Sequence, residues 1–310
     1  MGRVTELELP LVGAGGDPVD LWRTIVSHGV AELPPNAVDE ERRAFSTTLP
    51  VDGAPPRTAV VTAGRPGFAR IAALGEPPDA VERSVLLGTL RHMLRLEEDL
   101  SGFYTRIESD PELSWAAAGA GRMLRSPTVF EDVVKTICTT NCAWSATERM
   151  VGALVDHLGR QGTHGRTFPT PEAMAAADES FYRDVARAGY RGAYLRSLAT
   201  SVADGVLDLE ELGRAGPDEL SDEEFERRLL ALPGVGPYAA AHIMMLLGRY
   251  SRLILDSWTR PKYARLNGKR SVSDATIARR FRRYRGYAGL AFWLYLTRDW
   301  VPEPTAAAAR

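Results

Sequence analysis

The chain has 310 residues, 45% of them hydrophobic, enough for two or three packed domains. No run of 18 apolar residues occurs, so no membrane-spanning helix is expected. The net charge of −2 argues against a uniformly basic nucleic-acid binder. The opening MGRVTELELPLV lacks the basic-then-apolar order of a secretory signal, and Glu6 stands where N-myristoylation of Gly2 would want Ser or Thr. Two cysteines, Cys138 and Cys142, fit a reducing cytoplasm and are too few for a four-cysteine zinc or iron–sulfur site. Three lysines stand against 35 arginines, a skew that tempers any reading of arginine density.

Residues 1–77 are the least helical part. Glu6-Leu7-Glu8-Leu9 alternates as a strand does, and Asp17–Gly29 reads as a short helix with a glycine stop. Arg57–Ala63 and Phe68–Leu74 are β-prone runs around Gly64-Arg65-Pro66-Gly67, a hairpin signature. From Pro78 onward the pattern is helical. Ala80–Leu100 places Val81, Val85, Leu86, Leu90, Met93, Leu94 and Leu96 at helical spacing. Leu124–Thr128 is a break, and Val129–Leu158 supplies two helices joined near Thr139–Ala143. The expected fold class is α+β. A small N-terminal antiparallel-sheet domain (1–77) precedes a mostly helical core (78–310). That core divides into a lobe at 126–249 and a second lobe made of 78–125 plus 250–310.

The most informative stretch runs from Ser221 to Asp256. Ser221 and Glu224 have the S-x-x-E spacing of a capping box, and Phe225, Leu229, Leu230 and Leu232 recur at helical spacing. Pro233 and Gly234 stop that helix. Pro237 suits the first turn of the next one, where a missing N–H has no consequence. Leu232-Pro233-Gly234-Val235-Gly236 is then a tight turn between helices. It aims backbone N–H groups outward, a geometry that suits a phosphate. An ordinary helical hairpin whose glycines only close the turn fits the same residues.

Charge is unevenly spread. From Arg249 to Arg298 there are 13 Lys/Arg against Asp256 and Asp274. From Asp208 to Glu226 there are nine acids against Arg214. Arg279, Arg280, Arg282, Arg283 and Arg285 are dense enough to suggest phosphate contact rather than a merely solvated face. Asp256 is the single carboxylate of the basic 249–273 stretch. It suits either stabilisation of positive charge or capping of the following helix.

LPGVGPYAA followed by LILDSW resembles the helix-hairpin-helix DNA glycosylases, whose signature is this hairpin and an aspartate about twenty residues on. Here the interval from Tyr238 to Asp256 is 18. RHMLRLEEDLSGFY, GYRGAYL (189–195) and RGYAGLAFWLY (285–295) are similar to segments of the same superfamily. The overall resemblance is nearest to its bacterial 3-methyladenine branch, with some features of the 8-oxoguanine branch. The resemblance implies a double-stranded DNA partner carrying a damaged base, and no iron–sulfur cluster, since the cysteines for one are missing. It also implies a monovalent cation, sodium or potassium, as the one possible cofactor, held by the carbonyls of Leu232 and Val235.

The same resemblance assigns roles. Asp256 is the catalytic carboxylate. Leu232, Gly234, Val235 and Gly236 grip DNA. Asn141 fills the gap left by a flipped base, although it also suits a helix cap. Tyr190 is a wedge and Arg191 a contact to the orphaned base or its phosphate. Alternatively, Tyr190 packs in the core and Arg191 pairs with Asp184. Tyr238 occupies the position of the lysine that bifunctional members use as nucleophile, so a monofunctional enzyme is expected. Tyr238 and Trp293 would sandwich the base, favouring cationic alkylated purines. His242 either lines that pocket or packs within its helix. Gly289 and Ala146 replace the Gln and Arg of the 8-oxoguanine branch, which makes oxidised purines the alternative substrate. A non-catalytic, damage-sensing DNA-binding protein is the alternative from another class. A cytoplasmic, nucleoid-associated monomer is expected.

Overall fold

The computed structural model describes residues 3–301. The reading of Met1-Gly2 and the tail from 302 onward lie outside the described residues. Near the N-terminus, β1 (Val4–Pro10), β2 (Ala37–Asp39), β3 (Ala44–Val51), β4 (Ala54–Ala63) and β5 (Phe68–Leu74) form one antiparallel sheet in the order β1-β5-β4-β3-β2. Register places Leu7, Ile71, Val61, Phe45 and Val38 in a single row across it. Alternate residues of a strand share a face, so this row and its neighbours make one apolar side. Strand β3 went unread in the sequence, where its threonines obscure the spacing of Phe45 and Leu49. The expected helix at Asp17–Gly29 shrinks to α1 (Leu21–Ile25), capped by Asp20.

Helix α2 (Ala80–Met93) covers the sheet. It opens with a reciprocal capping box between Asp79 and Glu82 and ends early, because Arg95 adopts a positive φ of 56°. Leu86, Leu90 and Met93 enter the sheet's core, while Val81 is 70% exposed and Val85 39%. A boundary at residue 77 therefore separates the sheet from a helix that shares its core. The N-terminal unit is tied to the helices by Arg122. Its side chain is fully buried, ion-pairs with Asp17 and donates to the carbonyls of Arg95 and Glu98.

Two helical cores follow. Helices α4 (Val129–Thr139), α5 (Trp144–Leu158), α6 (Pro171–Ala176), α7 (Arg191–Ala203), α8 (Leu209–Arg214) and α9 (Asp222–Leu230) pack around one of them. Helices α3 (Ser101–Ile107), α11 (Thr259–Leu266), α12 (Asp274–Phe281) and α13 (Ala288–Thr297) build the other. Helix α10 (Pro237–Leu246) belongs to both: Ala239, Ala240, Ile243 and Met244 face the first core, and Ala241, Met245 and Leu246 the second. A helix apolar all round is expected to be buried on all sides. Tyr238, in its first turn, packs against both cores.

The arginine run is less free than its density suggested. Arg280 and Arg283 pair with Glu112, and Arg283 also with Asp110. Arg249 is buried against Asp222, Arg252 reaches Glu226, and Lys262 reaches Asp299. The 249–298 stretch thus spends much of its charge on acids brought from elsewhere in the fold. The capping box at Ser221 is one-sided. Ser221 Oγ accepts the Glu224 N–H at 3.3 Å, but the Glu224 carboxylate turns to Arg227 and Arg228. Leu230 is 43% exposed rather than core.

Candidate functional site

The site is a cleft at the seam between the two helical cores. The hairpin forms one wall. Gly234 has φ +78°, and a Cβ there would stand 2.9 Å from the Tyr194 ring, so only glycine fits. The turn closes through Val235 N–H to Leu232 C=O at 3.2 Å. Among the described residues, the N–H groups of Gly236, Tyr238 and Ala239 have no acceptor. They lie at the start of α10 with the positive end of its dipole, and Pro237 has no N–H to interfere. The cleft is lined by Leu232, Gly234, Val235, Gly236, Tyr238 and Asp256, together with Asn141, Tyr190 and Tyr194, the last packed on Gly234.

Asp256 sits on the loop before α11 and is half-buried. Its Oδ1 accepts the backbone N–H of Trp258 at 2.8 Å and of Thr259 at 2.6 Å, and Thr259 Oγ1 accepts the Asp256 N–H. It therefore closes the turn that leads into α11, whose N-cap is Trp258. That bond fixes one oxygen and leaves Oδ2 without a partner among the described residues. Tyr238 lies close enough that the Asp256 charge adds to burial, the larger cause, in raising the phenol above its ordinary range. Its hydroxyl is 3.3 Å from Thr139 Oγ1. Arg260, on the cleft rim, is engaged by Asp274 at 2.7 Å.

The loop between α4 and α5 forms the far rim. Asn141 is exposed with φ +48°, and its Nδ2 donates to the Tyr190 hydroxyl at 3.3 Å. It does not cap α5, whose N-cap is Ala143. Tyr190 is 54% exposed and stacks edge-on against Tyr194, so the core reading fails for it. For Arg191, the structure departs from the pairing with Asp184. The residue is 7% exposed, and its Nε donates to the Thr140 carbonyl at 2.9 Å, with Nη2 on the same oxygen. Asp184 instead takes Arg183. Arg191 thus braces the loop that displays Asn141. Cys138 is buried, with its thiol pushed up to about 12 by desolvation, and Cys142 donates to the Cys138 carbonyl, as packing residues would.

Two expected pocket residues lie outside this cleft. Trp293 is 7% exposed and lines a separate small cavity with Arg23, Ser27, Trp115 and Trp300. Its indole N–H donates to the Ser27 carbonyl at 2.8 Å, so it does not face Tyr238 across an open slot. His242 is 5% exposed, with its ring 6.1 Å from that of Tyr238. Sequence reasoning missed Tyr194, one turn after Tyr190 on α7 and hence on the same face, and the exposed Leu230. The packing of His242 was also unforeseen: its ring lies 5.6 Å from that of His28. No signal local to residue 28 could have found it, because that contact spans two domains.

No family model matches the chain. A DNA-3-methyladenine glycosylase of Bacillus subtilis is 23% identical over 180 residues, 56% of this chain, and the match spans only 58% of that relative. Among solved structures, a 3-methyladenine DNA glycosylase from Archaeoglobus fulgidus superposes with a TM-score of 0.70 at 21% identity, covering 96% of this chain and 100% of the other. An 8-oxoguanine glycosylase/lyase from Clostridium acetobutylicum gives 0.68 at 18% identity, covering 96% and 99%. The resemblance read from the hairpin and Asp256 therefore extends to the whole fold, N-terminal sheet included.

Proposed function

We propose that this chain is a DNA glycosylase that flips a damaged purine from duplex DNA and hydrolyses its N-glycosidic bond. The observation that carries the reading is Asp256. It is a carboxylate with one oxygen pinned by two amides and the other free, set in a cleft walled by unpartnered hairpin amides. The hairpin holds a backbone phosphate, which fixes the strand relative to Asp256. A sodium or potassium ion would be held by the carbonyl oxygens of Leu232, which also accepts the Val235 N–H, and of Val235, neutral oxygens of the kind that suit such a cation. When bound, it would add positive charge beside that phosphate. Asn141 and Tyr190, already hydrogen-bonded to one another, enter the duplex and offset the stacking lost on flipping.

As the C1′–N bond breaks, its electron pair leaves with the base and positive charge grows on C1′. Asp256 stabilises that charge and takes a proton from the water whose oxygen bonds to C1′. Strand cleavage does not follow, because no lysine lines the cleft. Lys135 is fully buried against Glu131, Lys262 is held by Asp299, and Lys269 lies outside the cleft. Tyr238, a neutral phenol, has no amine for a Schiff base. Alkylated purines are the favoured substrate, consistent with the name of the Bacillus relative and with the attraction that the Tyr238 ring would offer a positively charged base.

Oxidised purines are the second reading, favoured by Asn141 beside Tyr190. A panel of single-lesion duplexes, scored separately for base release and for strand breaks with and without alkali, tests both. Release of 3-methyladenine with breaks only after alkali is expected. Release of 8-oxoguanine, or breaks without alkali, would shift the assignment. Lesion binding without any release would mark a non-catalytic sensor.

A further inference from the structure

Two hydroxyls that line the cleft form a chain whose direction is fixed. Thr139, the last residue of α4, donates its hydroxyl to the Thr136 carbonyl at 2.7 Å. A carbonyl only accepts, and a hydroxyl carries one hydrogen, so Thr139 Oγ1 has only lone pairs left. The Tyr238 hydroxyl, 3.3 Å away, is therefore the donor of that contact. The phenol keeps its proton, because burial, with the Asp256 charge adding to it, raises the group above its ordinary range. Tyr238 Oη thus has only lone pairs to offer to anything that enters the cleft, which Thr139, Tyr238 and Asp256 all line.

Asp256 supplies a second acceptor. Its Oδ1 is committed to the N–H groups of Trp258 and Thr259, and Oδ2 has no partner among the described residues. The cleft has a volume of about 1060 Å³, room for a nucleotide and a water together. A molecule that bridges two acceptors must carry two hydrogens, and water, the nucleophile of hydrolysis, carries two. The phenol O–H and its partners lie near the plane of the ring. A bridge to Oη is therefore made at the ring's edge and leaves its face for a base.

We propose that Tyr238 Oη and Asp256 Oδ2 clamp the attacking water, each accepting one of its hydrogens, with Thr139 as the positioning residue that keeps the phenol an acceptor. The inference rests on the glycosylase reading and gives Tyr238 a part in the reaction beyond contact with the base. With both hydrogens engaged, the lone pairs of the water are left for C1′. As the C1′–N bond breaks, its electron pair leaves with the base and the water oxygen bonds to C1′. The hydrogen held by Asp256 passes to the carboxylate. The other stays on the oxygen, which becomes the C1′ hydroxyl and remains bonded to Tyr238.

The test lets methanol compete with water. Methanol has a single O–H and satisfies only one of the two acceptors. The full-length protein is incubated in water–methanol mixtures with a duplex methylated by dimethyl sulfate and with a duplex carrying 8-oxoguanine. Capture by water leaves an abasic site that alkali cuts, and capture by methanol leaves a methyl glycoside that alkali does not cut. Released base minus alkali breaks therefore gives the share taken by methanol. Tyr238→Phe is expected to raise the ratio of methanol to water capture about tenfold over wild type, the worth of one hydrogen bond. That variant also frees space, so Thr139→Val is the sharper one: the phenol keeps its size and loses the acceptor that held its hydrogen. Thr139→Val should move the ratio in the same direction and slow base release, and Thr139→Ser, which keeps the hydroxyl, should restore the wild-type ratio. A purely structural role would slow release without moving the ratio. A ratio unchanged in Tyr238→Phe or in Thr139→Val, or not restored by Thr139→Ser, overturns the clamp and leaves the glycosylase reading standing. Wild type that releases no base from either duplex removes both.

Discussion

Replacing Arg191 with alanine tests whether the rim of the cleft is braced from inside the protein. The guanidinium makes two hydrogen bonds to one carbonyl, that of Thr140, and a longer one to Thr140 Oγ1 at 3.3 Å. It also lies 4.5 Å from the Tyr190 ring centroid. Charged hydrogen bonds contribute about 1.5–3 kcal/mol each, and two on one acceptor fall short of additive. The stack on a half-exposed ring adds about 0.5 kcal/mol. A loss of about 2–3 kcal/mol follows, which for a chain of this size lowers Tm by about 5 °C. Amide exchange should accelerate at 139–143, and lesion-duplex affinity should fall with it, because Asn141 is no longer held in place. Arg191→Lys keeps the charge but has only one short-reach donor group for that carbonyl, so it should recover part of the loss. Unchanged Tm and unchanged exchange at 139–143, with weakened lesion binding, would refute the bracing role. That result would return Arg191 to direct contact with the orphaned base.

Further outcomes follow from the same geometry. Gly234→Val forces a β-branched residue into φ +78° against Tyr194, and should cost about 2 kcal/mol or more of stability and weaken duplex binding; thermal melts and fluorescence anisotropy check it. His28 and His242 have folded pKa values near 3 and 4, below the value of about 6.5 expected when unfolded, so the unfolded chain binds more protons in that window. Stability should therefore be fully present above pH 6.5 and fall as pH drops toward 4, as read by Tm against pH. His242→Phe should flatten the decline.

Much of the site was legible because it is local. Ser221, Pro233, Gly234 and Pro237 announce their helix ends by backbone chemistry alone, and Asp256 stood out as the single acid in a basic stretch. What the sequence misplaced was set by distant partners. Arg280 and Arg283 looked free for phosphate, yet Asp110 and Glu112 meet them from far earlier in the chain. Trp293 looked like a pocket wall, but the Ser27 carbonyl holds its indole. Leu230 and Val81 kept helical spacing while facing out, because an apolar residue on the edge of a stripe can be left uncovered. His28 carries no motif at all; it meets His242 only because the N-terminal domain docks where it does.

The most direct test is the single-turnover rate of base release by Asp256→Asn on duplexes carrying the lesion that wild type excises. Asparagine keeps an Oδ1 to accept the N–H groups of Trp258 and Thr259, so the loop stays folded while the charge that the proposed mechanism sets against C1′ is lost. The account predicts a fall of roughly 10²–10³ in rate with lesion binding retained. A rate equal to wild type would contradict it.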